Sequence, residues 1–315
     1  MDNSGLSSRA IIGKFYEILE MSKDKVWPYK VGMEMPSNQE SETYKWLGFA
    51  PALREWLGGR NAKGLRENGI TIKNKLFEAT LEFNAQDVKR DKTGQIKVRV
   101  GELADRVIQH WGSLLTTLIM NGDTTVCYDG QFFFDDDHSE GDSGSQKNKL
   151  AAGDYSDLDV TTAANPTANE LAKVILKMIQ HMYSLKDDQG EPMNENAKQF
   201  LVMVPVNMWA AAMQACSSNL LSTGTGAIDN PILNSGLQVE PVANPRLTAT
   251  TELYAFRKDG RAKPFILQNE EEVSVKAVAE GSEEEFKNNR HLYGVKASRN
   301  VGYGYYQQAI MATLS

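Results

Sequence analysis

Residues 76–121 constrain this chain more than any other stretch, because two different periodicities meet there end to end. Phe77, Ala79, Leu81 and Phe83 alternate with Glu78, Thr80, Glu82 and Asn84, the period of two of a half-buried strand. The polar run 87–94 predicts a reversal, after which Ile96, Val98 and Val100 alternate with Lys97 and Arg99 and predict a second arm. Acid on one arm and base on the other favours antiparallel register. From Gly101 to Met120 the spacing changes. Leu103, Val107, Trp111, Leu114 and Leu118 recur at fours and threes, which predicts an apolar-striped helix about 30 Å long. A two-stranded hairpin alone is marginal in water. The expectation is therefore a ribbon over 76–100 that projects from a rigid helical strut and lies on something outside its own core.

With 315 residues the chain can hold about two domains and bury a real core. A hydrophobic content of 41% and a charged content of 24% are those of an ordinary globular protein. The formal net charge of -7 argues against a sequence-independent grip on nucleic acid. If such a chain meets DNA at all, it should enclose it rather than bind it. Cys127 and Cys216 are too few for a disulfide framework, so a reduced, cytosolic origin is the default. No run is apolar enough for a signal peptide or a membrane span.

Elsewhere the pattern is mixed. Ile11, Ile12, Phe15, Ile18 and Leu19 share one face of a short helix, and residues 26–43, with Pro28 and Pro36, read as an extended arm. Such a helix either docks on another surface or packs on its own core, and the residues leave both open. Thr167 followed by Glu170 has capping-box spacing before a second amphipathic helix running to Leu185. Residues 200–204 predict a buried strand, 209–215 a short helix, 217–230 a flexible loop, and most of the remainder strands. Separated helices and strands of this kind define an α+β chain.

The candidate chemistry is sparse. Asp135, Asp136, Asp137 and His138 could hold a divalent cation, but consecutive residues do not all face one ion without a shaped loop. An exposed acidic turn is the simpler reading, followed by an exposed polar loop over 139–148. His110 and His181 lie beside apolar helix faces and read as packing or interface residues. No Walker-type loop, dinucleotide fingerprint, nucleophile elbow or zinc-protease motif is present. No catalytic residue, cofactor or metal site is assigned.

Three blocks carry a resemblance. Trp46-Leu47-Gly48 is followed by Leu53-Arg54-Glu55-Trp56-Leu57-Gly58-Gly59-Arg60 and then by Asn74-Lys75-Leu76-Phe77-Glu78-Ala79-Thr80. Beyond them runs Cys127-Tyr128-Asp129-Gly130-Gln131, with Phe133, Phe134, Asp135 and His138. In that order and at those separations they resemble the major head subunit of Mu-like transposable phages and prophages. The resemblance covers roughly residues 44–138. The family pattern has a proline after the histidine, where this chain has Ser139.

The resemblance implies a Hong Kong 97-type capsid fold: an N-terminal arm (1–43), a first peripheral segment (44–75), an extended loop (76–100), a spine helix with more peripheral domain (101–165), an axial domain (166–285) and closing peripheral strands (286–315). It implies a shell of hexamers and pentamers enclosing double-stranded DNA without specific binding, assembled in the host cytoplasm and carried in the virion. Portal and scaffold or protease proteins would be assembly partners, with room for a decoration protein and no role for a membrane. Phe77, Ala79, Leu81, Phe83, Ile96 and Val98 would form the intersubunit face. Trp46, Arg54, Trp56, Arg60, Asn74, Lys75, Glu78, Cys127, Tyr128, Asp129, Gln131, Phe134 and His138 would be structural. Two rivals stand beside this: a cellular nanocompartment shell of the same fold, and a metal-dependent hydrolase built on Asp135, Asp137 and His138.

Overall fold

A computed structural model describes residues 8–22, 26–45, 69–90, 94–223 and 225–315. The first part holds α1 (Ser8–Ser22), α2 (Pro28–Val31), β1 (Gly32–Pro36), β2 (Ser41–Tyr44), β3 (Ile70–Lys73), β4 (Lys75–Asn84), α3 (Ala85–Arg90) and α4 (Gln95–Met120). A loop region carries β5 (His138–Ser139), β6 (Ser145–Gln146) and β7 (Lys149–Ala151). Then come α5 (Ala168–Ser184), β8 (Gln199–Val204), α6 (Trp209–Ser217), β9 (Leu220–Ser222), β10 (Ala227–Asp229) and α7 (Pro231–Asn234). The chain closes with β11 (Gln238–Ala243), β12 (Glu252–Arg257), β13 (Phe265–Val278), α8 (Glu283–Asn288), β14 (Arg290–Tyr303) and β15 (Ala309–Thr313).

Two sheets organise these elements. The first is five-stranded, in the order β11-β8-β12-β15-β7. Its interior strand β8 is apolar at every position from Phe200 to Val204 because both faces are covered. Phe200, Val202 and Val204 pack with Leu171, Ile175 and Met178 of α5. Leu201 and Met203 turn the other way, into a core with Trp111, Leu115 and Ile119 of α4 and with Phe133, Phe134, Phe265 and Tyr303. The α5 start is fixed locally: Thr167 and Glu170 form the full capping box.

The second sheet has the order β1-β13-β14-β4. The long hairpin β13–β14 is its centre, and ten residues of β4, Lys75 to Asn84, pair antiparallel with β14. Between this sheet and α4 lies a third core, holding Ile11 and Phe15 of α1, Val88, Ile96, Val100, Leu103 and Val107, with Tyr293 and Val295 of β14.

This arrangement corrects the expected ribbon over 76–100. Its first arm is β4, but the second is not a strand: residues 95–100 are the first turns of α4, which runs 26 residues, about 39 Å. Ile96, Val98 and Val100 fit a period of two, yet Ile96, Val100, Leu103 and Val107 also fit a helical stripe. The stripe prevails, because its members are buried in the third core while Val98 is 63% exposed. The partner strand of β4 comes instead from β14, about 200 residues on. The ribbon therefore lies on its own chain.

Other segments also move from their expected places. The 26–43 arm holds β1, which pairs parallel with β13 from Gly32 to Pro36, and β2, which pairs with β3. Helix α1 packs on its own core. Strand β13 belongs to the four-stranded sheet, and β15 lies between β12 and β7 in the five-stranded one. Residues 217–230 contain the hairpin β9–β10, and Asn230 caps α7.

Candidate functional site

The Cys127–His138 motif follows α4 directly. The chain turns tightly there: the Gly130 N–H donates to the Cys127 carbonyl at 3.2 Å, and Gly130 takes a φ of 93°, which favours glycine. That turn aims the Asp129 carboxylate inward. One oxygen accepts from the Cys127 thiol at 2.9 Å and from the Gln131 N–H at 3.1 Å. The other lies 2.6 Å from Nδ1 of His138.

His138 is fully buried, and its second nitrogen, Nε2, lies 3.1 Å from Oδ1 of Asn148. The Asn148 amide nitrogen donates to the Phe133 carbonyl at 2.8 Å, and the Asp135 N–H donates to Oδ1 at 2.9 Å, so this orientation is set by the network. Both ring nitrogens thus face oxygen atoms inside the protein, those of Asp129 and Asn148. The imidazole also stacks on Tyr306, with 3.6 Å between centroids and planes 3° apart.

Tyr306 carries the network into the chain terminus. Tyr128 stacks on its ring, and the Tyr128 hydroxyl lies 3.1 Å from both Glu140 and Gln307 side-chain oxygens. Phe133 stacks on Tyr303 of β14, and Phe134 packs on Tyr254 of β12. The loop after α4 is therefore fastened to both sheets at once, by aromatic stacking around a charged, hydrogen-bonded centre.

The electrostatics suit a fastening rather than a reaction. Burial raises the Asp129 carboxyl, but hydrogen bonds from His138 and Cys127 and the charge of His138 overcome it and hold the group below the ordinary carboxylate range. Burial, followed by the charge of Asp129, pushes the Cys127 thiol far up, so it stays protonated and is no nucleophile. Cys127, Asp129 and His138 place a sulfur, a carboxylate oxygen and an imidazole nitrogen within 4.8 Å of one another, the donor types of a zinc site. Here those donors are spent on each other.

These findings revise the local expectations. Asp136 and Asp137 are exposed, as an acidic turn would have them, but His138 points away to Asp129. Asp135 folds onto the N–H groups of Phe132, Asp136 and Asp137. Asp135, Asp137 and His138 therefore do not converge on one point, and the hydrolase arrangement is absent among the described residues. The 139–148 loop is not an exposed one: Glu140, Ser143, Gln146 and Asn148 are buried in it. Asn148, Tyr306 and Gln307 carry much of the network, and no local spacing marks them.

The remaining expected positions are spread over the body. Asn74 is buried and bonded to Ser37, Gln39 and Gln268, while Lys75 and Glu78 are exposed. Phe77, Ala79, Leu81 and Phe83 form the half-buried inner face of β4, and Ile96 lies inside the third core. Of the six expected intersubunit positions only Val98 is well exposed. Trp46, Arg54, Trp56 and Arg60 lie outside the described residues. His110 is a packing residue as expected: Phe77 meets its ring edge-on at 4.3 Å, and Arg299 Nε donates to it at 3.1 Å.

A long helix packed on a sheet, a second sheet with its own helices, and a loop fastened to both make up the Hong Kong 97-type fold. The chain superposes on the subunit of the bacteriophage JBD30 procapsid with a TM-score of 0.55 at 23% identity, covering 98% of this chain and 75% of that one. For the mature capsid of bacteriophage PhiM1 the TM-score is 0.56 at 8% identity, covering 92% and 87%. The chain belongs to the Mu-like prophage major head subunit gpT family, whose model matches residues 9–164 and 227–314. The major capsid protein of Escherichia phage Mu is 36% identical to it over 109 residues, 35% of this chain. That alignment spans only 36% of the Mu protein's own length.

Proposed function

We propose that this chain is the repeating subunit of an icosahedral phage head, assembling as hexamers and pentamers into a shell around double-stranded DNA. The observation that carries this reading is the family match over 9–164 and 227–314, which takes in elements of both sheets and all three cores. The net charge of -7 supports a wall that encloses DNA without gripping it. Symmetric closure makes such assembly self-limiting, and many small burials sum to a stable container. Portal, scaffold or protease, and decoration proteins are the partners this role would call on, with assembly in the host cytoplasm before incorporation into the virion.

The domain assignment follows the sheets. The four-stranded sheet with α4 is the peripheral part, and the five-stranded sheet with α5 and α6 the axial part. Tyr44 and Ile70 pair across β2 and β3.

Particles purified from cells making this chain with its packaging partners test the reading. Nuclease-protected double-stranded DNA inside tailed particles is the expected content. Protein cargo without DNA would favour the nanocompartment instead.

A further inference from the structure

The tip of the β13–β14 hairpin is ordered by an unusual number of bonds for an exposed element. Ser282 caps α8 through the Glu285 N–H, Glu285 accepts from the Gly281 N–H at 2.7 Å and pairs with Lys89, and Glu284 pairs with Arg290 at 2.8 Å. On this pinned helix Phe286 is 90% exposed. A held, exposed aromatic has the form of an interface anchor. Glu283 lies one turn before it, on the same helix face, in an exposed ion pair with Lys287.

A cleft of matching chemistry lies between α4 and the β4–β14 face. It has a volume of about 240 Å³, with Phe77, Leu103, Val107 and Val295 among its apolar walls and Arg106, Arg299 and Glu78 as its charged lining. The Arg299 guanidinium is buried against neutral groups, namely the Val107 carbonyl at 2.9 Å, His110 and the face of Trp111. Among the described residues neither Arg106 nor Arg299 pairs with a carboxylate. Burial, then the charges of Arg299 and Arg246, push His110 down to about 4.

The knob cannot fill its own cleft. Along the ladder Asn84 pairs with Arg290 beside the tip, and Phe77 with Ala297, so the two sites stand seven residues apart, about 23 Å. The occupant has to come from another molecule, and this chain carries both halves.

We propose that Phe286 of one copy seats in the Phe77–Arg106 cleft of a second copy, with Glu283 meeting Arg106. A knob and a hole at different places make a heterologous contact, which propagates around a ring or along a lattice instead of ending at a dimer. This inference rests on the shell reading and adds to it the pair of surfaces that meet.

The test uses the full chain under shell-forming conditions. Mild oxidation of the Glu283→Cys/Arg106→Cys double variant is expected to give intermolecular disulfide ladders that reduction abolishes and that neither single variant gives. Cys127 and Cys216 are buried, which keeps the background low. Phe286→Ala is expected to retain the wild-type melting curve, since the side chain touches little, while lowering particle yield at least tenfold. Glu283→Arg should lower it similarly, and adding Arg106→Glu should restore it. Wild-type shells that form equally well with Phe286→Ala and yield no cross-link overturn the docking but leave the shell intact. A wild-type chain that forms no particle overturns both.

Discussion

Asp129 and His138 face each other at 2.6 Å inside the protein, joining a turn at the exit of the long helix to a ring stacked on Tyr306 near the chain terminus. The pair turns a polar loop into a joint between the two sheets, because each partner's remaining hydrogen-bonding capacity is taken by Cys127, Gln131 or Asn148.

Removing one partner leaves the other's buried polar group unpaired. Asp129→Ala and His138→Ala are each expected to cost about 3 kcal/mol of subunit stability, and the double variant less than the sum. Urea unfolding of the unassembled subunit measures this. Single variants that unfold at the wild-type midpoint would show that the pair fastens nothing.

Ile96 and Val98 distinguish a helix from a strand over 95–100. Ile96→Asp buries a charge in the third core and is expected to cost more than about 3 kcal/mol, whereas Val98→Asp, on the exposed face, stays within about 0.5 kcal/mol. Thermal melts of the two variants read the difference. Equal costs would return that segment to a strand, with both residues on one covered face.

Glu170 links the α5 cap to pH. Burial raises its carboxyl, but hydrogen bonds from Thr161 and Thr167 overcome this and hold it at about 2, against an ordinary 4.5. A depressed value stabilises the fold above the unfolded group's titration and loses that contribution as pH falls through the folded one. Discounted for its partial exposure to solvent, the contribution is about 1 kcal/mol. Glu170→Gln is expected to melt below wild type at pH 7, with the gap closing between about pH 4.5 and pH 2. A gap that persists at pH 2 would assign the loss to packing, not charge.

What the chain reveals before folding follows the range of each interaction. The Thr167–Glu170 cap is legible because its partners are three residues apart, and the doubly buried β8 because every position from Phe200 to Val204 is apolar. The strand pattern of β4 is legible too, but its partner is not. Val295 pairs with Ala79 from more than 200 residues away, and a local reading takes the nearest alternating run instead, 96–100. His138 and Asp129 stand out as members of a family motif. Their joining role depends on Asn148 and Tyr306, and the latter is distant in sequence and belongs to no local pattern.

Charged replacements on β4 acquire a different meaning in this fold. Phe83→Asp is expected to lower the melting temperature of the isolated subunit, since Phe83 packs against Tyr293 of its own chain. Loss of assembly with an unchanged melt would instead place that face between subunits.

Negative-stain electron microscopy of the purified chain, taken through a concentration series, tests the central claim most directly. Closed, uniform shells or capsomers that anneal into them are the expected result. A chain that stays a monodisperse monomer at every concentration, folded as described here, would contradict it.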